Sequence, residues 1–267
     1  MPDALHIVTE HNTRWALADL AGLCALYHPD IVFTDHYAGQ RYAGTAVHTH
    51  VAGILKRSQL DSLHYTDRPR VDDDTVTLRY RETIRSSAGD ELLAVTACDI
   101  VRVQDARIIA IDEYAIPEAR TALPSTRKGK PSSGGTGGGM GIGKIGLSAR
   151  EIGFLLADLD GWMRSALPFL DPALSLPQVA AATGYTRNQI SFALNQVRGV
   201  GFFDYVNGMR VEHLLRRVPP PATGGALGWA EAAGFRSAST FYAAFRTATG
   251  MSPAAWLRSE TPPTPPL

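Results

Sequence analysis

The sequence predicts an α+β domain, then a Gly-rich connection, then an all-α domain. Three observations carry this. Helix-period apolar residues in the first part of the chain give way to four strand-like runs. Residues 126–139 then offer almost nothing to bury. The last third holds two patterns in which a short apolar helix meets a glycine and a second helix opens three residues later. At 267 residues the chain is long enough for two domains of ordinary size.

Residues 3 to about 27 read as an amphipathic helix or helix pair anchored by Leu5, Val8, Trp15, Leu17, Leu20, Leu23, Leu26 and Tyr27. Ile31 to Asp35 is a short strand, and Thr45 to Lys56 a further helix. Strand-like runs follow near residues 63–71, 75–86, 91–103 and 108–116. Asp72-Asp73-Asp74 and Ala88-Gly89-Asp90 supply hairpin turns between them. Helices first and an antiparallel meander later place the helices on one face of the sheet.

Residues 118–146 separate this first domain (1–117) from the second (147–260), and their Gly, Ser and Lys content predicts a flexible tether. Gly141-Ile142-Gly143-Lys144 lacks the preceding strand and glycine spacing of a phosphate-binding loop. A helix starts at Ser148, with Glu151 three residues on as a capping box. Its apolar face of Ile152, Leu155, Leu156, Leu159, Trp162 and Met163 packs on the following domain or serves as a dimer contact. The Pro-rich stretch from Thr261 to Pro266 reads as a disordered tail.

The first repeated pattern runs from Leu176 to Ser191 around Gly184, the second from Leu227 to Phe241 around Gly234. A tight turn between helices needs a residue that tolerates a left-handed backbone, so the glycines carry geometric meaning. In a helix-turn-helix the second helix enters the major groove and reads base edges with exposed polar side chains. Arg187, Asn188, Gln189 and Ser191 begin the first candidate reader. Asn and Gln suit adenine; Arg suits guanine or phosphate. Ser237, Ser239, Thr240 and Tyr242 begin the second, with Arg246 placed for a backbone contact. The alternative for each is a solvated helix face.

Together with Phe245-Arg246, Gly250-Met251-Ser252-Pro253, Phe202 to Asn207 and Arg210-Val211-Glu212, these patterns make residues 174–258 resemble the AraC-type DNA-binding domain. That resemblance implies two helix-turn-helix units joined by a linker helix, with double-stranded DNA as partner. The second unit departs from the family. Tyr242 and Ala243 stand where a Ser-Arg pair is common, and Gly228 weakens the supporting helix by about 1 kcal/mol relative to alanine. Pro219-Pro220-Pro221 cuts the linker helix short. The second unit is therefore expected to read less sequence than the first, or to dock differently.

In the first domain, Trp15 and Asp19 through Leu26-Tyr27-His28-Pro29-Asp30, then Phe33-Thr34-Asp35 and Gly44, then Cys98 to Val103 with Ile108-Ile109 and Glu113-Tyr114, resemble the SnoaL-like branch of the nuclear-transport-factor-like superfamily. That resemblance implies a cone of curved sheet and helices around an apolar pocket. On it, the candidate pocket residues are Trp15, Phe33, Asp35, His50, Ile54, Tyr65, Tyr80 and Asp99. Asp35 falls where related steroid isomerases keep a general base, and Asp99 near their protonated acid. Glu113 falls where polyketide-cyclase relatives carry an acid. A carboxyl in an apolar cavity has a raised pKa that suits proton transfer or ligand hydrogen bonding. The alternatives are a strand-end turn cap for Asp35 and a structural role among strand charges for Asp99. The expected first-helix tyrosine is missing, with His11 as a substitute.

His48 and His50 are two apart on a helix and point in different directions, so no metal and no cofactor are expected. Cys24 and Cys98 lack ligand spacing and read as free thiols of a cytoplasmic protein. No apolar run approaches the roughly 20 residues that span a bilayer. Zero net charge hides an asymmetry: −6 over residues 1–117, +4 over 118–147 and +2 over 148–267. The mildly basic tail suits salt-sensitive attraction to DNA. Three functions fit: a transcription regulator responsive to a small apolar or aromatic effector, an isomerase, cyclase or hydrolase tethered to DNA, or a cone that only pairs the chain as a homodimer.

Overall fold

The computed structural model describes residues 3–86, 91–118, 145–217 and 225–258. The expected tether, the turn at Ala88-Gly89-Asp90, the proline-rich break after the linker helix and the C-terminal tail lie largely or wholly outside these residues. Two compact units emerge: residues 3–118 with 145–157, and residues 158–258.

The first unit opens with α1 (Ala4–Ala16) and α2 (Leu20–Leu26), capped by Asp3, which accepts from His6 N at 2.7 Å, and Asp19, which accepts from Gly22 N at 2.9 Å. Then come β1 (Tyr27–Asp35), β2 (Gln40–Ala43), α3 (Thr45–Arg57), β3 (Ser58–Tyr65), β4 (Arg70–Asp72), β5 (Thr75–Ser86), β6 (Glu91–Gln104) and β7 (Arg107–Pro117). They form one sheet in the order β2-β1-β7-β6-β5-β3, with β4 beside β5. The run expected at 63–71 is instead two strands. Pro69 cannot donate to a ladder, and Asp67 turns the chain by accepting from Arg68 N at 2.8 Å. The β5–β6–β7 meander is antiparallel as expected, whereas β1 runs parallel to β7. After β1 the chain crosses through β2 and α3 to the far side of the sheet, and the β5–β6–β7 meander brings it back alongside β1.

Alternation sets the inner face. Val76, Leu78, Tyr80, Glu82 and Ile84 of β5 point inward with Val95, Ala97 and Val101 of β6 and Ile111, Glu113 and Ala115 of β7. Ile7 and Val8 of α1 and Val47, Val51 and Ile54 of α3 are buried as well. Three acids, Glu82, Asp99 and Glu113, thus sit in the inward phase of an otherwise largely apolar face, which is what makes this interior a site.

Helix α4 (Ala149–Ala166) starts as the Ser148–Glu151 spacing predicts: Ser148 Oγ accepts from Glu151 N at 3.0 Å, and Glu151 Oε2 accepts from Ser148 N at 2.7 Å. Its residues through Ala157 group with the first unit and those from Asp158 with the second. Arg150 is the physical reason, because both its ion-pair partners belong to the sheet. The second unit continues through a 3-10 turn (Pro168–Leu170), α5 (Leu176–Thr183), α6 (Arg187–Phe192) with a π-helical extension (Ala193–Val197), α7 (Phe202–Arg217), α8 (Gly225–Ala232), α9 (Ala238–Thr249) and α10 (Pro253–Arg258). Its second half packs on aromatics: Trp229, Phe235, Phe241, Phe245 and Trp256 form one core with Val211 and Leu214.

Candidate DNA-reading surface and ligand pocket

Both interhelical turns use glycine in the left-handed region, Gly184 at φ 78° and Gly234 at φ 79°. Thr186 and Gln189 cap α6 reciprocally, with Thr186 N donating to Gln189 Oε1 at 2.9 Å and Gln189 N to Thr186 Oγ1 at 3.2 Å. Gln189 therefore holds the end of its own helix, whereas Arg187 and Asn188 are exposed. Ser191 lies one turn on, its carbonyl and Oγ accepting from Asn195 Nδ2 at 2.7 and 3.2 Å. Arg187, Ser191 and Asn195 share one stripe at four-residue spacing. The sequence reading missed Asn195, although that spacing was visible.

The first candidate reader is braced from α4. Tyr185 Oη donates to Asp158 at 2.6 Å, and Asp160 accepts from Tyr205 Oη at 2.7 Å and from both terminal nitrogens of Arg198. In the second unit Ser237 caps α9, accepting from Thr240 N at 3.2 Å, while its Oγ also meets Thr240 Oγ1 at 2.8 Å and Ser239 Oγ at 3.2 Å. Ser239, Tyr242, Ala243 and Arg246 follow on the exposed face, and Arg236, also missed, is exposed in the turn before them.

Inside the first unit is a cavity of about 40 Å³. Of the predicted pocket residues, Trp15, Phe33, His50, Ile54, Tyr80 and Asp99 line it, joined by His11, Tyr27, Glu82, Glu113 and Arg150. Asp35 and Tyr65 are not in the lining. Tyr65 ends β3 at the rim, 46% exposed, its hydroxyl accepting from Asn12 Nδ2 at 2.8 Å. Asp35 is buried behind the wall and caps the turn after β1, accepting from Ala38 N at 2.7 Å. Burial raises its pKa to about 6 against the pull of that N–H, with the charge of Glu113 adding to the rise.

Asp99 has one oxygen satisfied by Tyr80 Oη at 2.9 Å; the other, closed off from solvent, has no partner among the described residues. Burial, then the charge of Glu113, pushes its pKa well above the ordinary carboxylate range. Beside it, Arg150 donates to Glu113 at 2.5 Å and to Glu82 at 2.5 Å, all three groups being at most 6% exposed. Burial opposes the Arg150 charge, but the two glutamates outweigh it and raise the pKa. Burial likewise raises Glu82. His11 is held down at about 4 by burial, and its Nε2 lies 3.1 Å from Tyr27 Oη. His50 is also lowered by burial and stacks on Tyr42. Glu82 was legible as a charge in the apolar phase of β5. Arg150 gave no signal, because its partners lie 68 and 37 residues away. Among the described residues no group of His, Cys, Asp or Glu is arranged to hold a metal ion.

Residues 179–259 match the family described as a helix-turn-helix domain, and residues 8–111 the family described as a SnoaL-like domain. The chain thus joins an N-terminal SnoaL-like domain to a C-terminal AraC-type helix-turn-helix domain, an arrangement that supports DNA binding. Similar solved structures include an epoxide hydrolase of the LEH-like type from M. tuberculosis (18% identity, 42% of this chain and 82% of that one, TM-score 0.37). Another is an NTF2-like protein of unknown function from Cytophaga hutchinsonii (10% identity, 43% and 92%, TM-score 0.35). No curated protein matches the sequence. No helix among the described residues is long and apolar enough to cross a membrane.

Proposed function

We propose that the chain is a cytoplasmic one-component transcription regulator that reads duplex DNA chiefly through α6 and takes a small organic effector in the cavity of its first unit. The supporting observation is the exposed Arg187 and Asn188 at the start of a helix set by a left-handed glycine, in a chain that also carries a mostly apolar cavity with an acid that has one oxygen without a partner among the described residues. The test is selection of bound duplexes from a random library by the full chain and by Arg187→Ala and Asn188→Ala. A defined motif, relaxed at one position in each variant, is the expected result. Motif-free, salt-sensitive binding by all three would overturn the reading.

The cone also serves as a homodimer contact. Ile100, Tyr114 and Ile116 stand on the outer face of β6 and β7, Ile116 being 61% exposed, and form an apolar patch where an isolated sheet face is normally polar. Ile116→Glu should convert a sedimenting dimer to monomer. A wild-type chain already monomeric at micromolar concentration would rule this out.

Catalysis in the first unit is the second reading, favoured by the Asp99–Tyr80 pair in an apolar cavity. Asp35, the base expected on family grounds, caps a turn instead and is absent from the lining. A turnover screen with isomerase, cyclase and epoxide substrates, lost in Asp99→Asn, would establish it; no turnover in the wild type would dismiss it.

A further inference from the structure

The cavity holds one of the chain's own cations. Arg150 lies in the wall with its two terminal nitrogens on two different buried glutamates and its guanidinium 5.5 Å from the centre of the Trp15 indole. What is left is about 40 Å³, small beside the few hundred Å³ or more of an ordinary ligand pocket. An organic effector therefore needs the volume that Arg150 fills. A neutral molecule that took it would orphan Glu82 and Glu113 in a site nearly closed to water, which is the least favourable state for two carboxylates. A cation of the same shape would not.

We propose that Glu82 and Glu113 form a cation-recognition site that Arg150 occupies in the resting chain, and that the effector is an aromatic amidine, guanidine or amine whose charged head replaces the Arg150 guanidinium. The inference rests on the effector reading above and names the ligand class for it. The indole of Trp15 and the rings of Tyr27 and Phe33 supply the face and walls for an aromatic body, and cation–π attraction favours a charged head under Trp15. Asp99 supplies a second polar contact through its unpartnered oxygen. Arg150 sits in the first turn of α4, and the same helix carries Asp158 and Asp160, which hold Tyr185, Arg198 and Tyr205 around α6.

The experiment uses the full chain and two isosteric probes, benzamidine and neutral benzamide. It follows the Arg150 Nε–H signal by nitrogen-edited NMR, assigned by its loss in Arg150→Lys, together with thermal unfolding. Benzamidine should move that signal to a solvent-exposed position and raise Tm by roughly 3–6 °C at ten times its dissociation constant. Benzamide should do neither, and the Glu82→Gln/Glu113→Gln variant should ignore both. In Arg150→Ala, methylguanidinium should refill the vacated place and restore most of the lost Tm; if that variant does not fold, the wild-type NMR arm decides alone. Benzamide binding as tightly as benzamidine with the Arg150 signal unmoved would overturn the cation site and leave the effector reading standing. Failure of both probes, with neutral aromatic compounds from a wider library still binding, would do the same. Failure of every compound would remove both.

Discussion

Asp35 is a buried acid that weakens the fold at neutral pH, and replacing it should strengthen the chain in a pH-dependent way. Its pKa is near 6 in the folded chain against 3.8 for the free side chain, a gap of about two units. At about 1.4 kcal/mol per unit, the ionised form is disfavoured by folding by about 3 kcal/mol at most. The sign follows from proton counting. Between pH 3.8 and 6 the folded state holds a proton that the unfolded state has lost, so stability falls as pH rises through that window and is flat above it. Asn keeps the acceptor for Ala38 N and carries no charge. Its amide faces Tyr37 N–H less well than a carboxylate does, which trims the gain to about 1–3 kcal/mol. Urea unfolding from about pH 4 to about pH 8, followed by the circular dichroism of the sheet, should show Asp35→Asn minus wild type growing between about 4 and 6 and then levelling. A difference that stays constant or shrinks with pH would mean Asp35 titrates as an ordinary carboxylate, and the burial argument would fail.

In the wild type His11 works against this slope. Burial keeps the imidazole neutral down to about pH 4, whereas the unfolded chain takes up a proton near 6.5. That contribution is present above 6.5 and lost as pH falls toward 4, opposite in direction to Asp35 over most of the same window. His11→Gln should therefore expose the Asp35 slope, and Asp35→Asn the His11 slope. Parallel curves for both variants would contradict the pairing.

Two further outcomes concern the second unit. Gly184→Ala should lower stability by about 1 kcal/mol, since its φ is left-handed but open space surrounds it; Gly234→Ala should lower it by about 3 kcal/mol or more, since a Cβ there would stand 2.4 Å from Leu170 O, and equal effects would contradict the packing. Asp160→Ala strips the acceptor from Arg198 and Tyr205 and should destabilise the second unit by about 3 kcal/mol, weakening operator binding without changing its salt slope; unchanged stability by calorimetry would make the contact incidental.

Legibility followed the range of the interactions. The turn glycines, the Ser148 cap and the alternation of β5 are local, so residue type and spacing revealed them. β2 escaped notice because Gln40-Arg41-Tyr42-Ala43 is a polar edge strand held by pairing with β1. The parallel β1–β7 pair is a property of the returning chain and has no local signature. At the pocket, the apolar lining from Trp15 to Tyr80 was readable from strand and helix phase. Its defining charge pair was not, since Arg150 looks like an ordinary first-turn residue until its helix reaches the sheet. Asp35 was misplaced for a different reason: family position put it in the pocket, whereas its own local chemistry, a short acceptor before a turn, put it behind the wall.

The second helix-turn-helix is a better-built element than its sequence suggested, and we expect it to be the poorer reader. α9 is capped, twelve residues long and anchored by fully buried Phe241 and Phe245. Yet its exposed face offers few groups with base-reading geometry. The Ser237 hydroxyl is engaged with Thr240 and Ser239, Ala243 has no polar atom, and the guanidinium groups sit at the flanks, Arg236 before the helix and Arg246 near its end. Flanking cations of this kind hold phosphates and fix register, whereas side chains at the start of the helix discriminate bases. Arg236→Ala and Arg246→Ala should therefore weaken binding about equally on all sequences, each reducing the salt slope by about one, and leave the selected motif intact. Arg187→Ala and Asn188→Ala should do the reverse, relaxing the motif at defined positions. If Arg246→Ala changes the motif and Arg187→Ala only the salt slope, the two units have exchanged roles, and the second is the reader despite its missing guanidinium at Ala243.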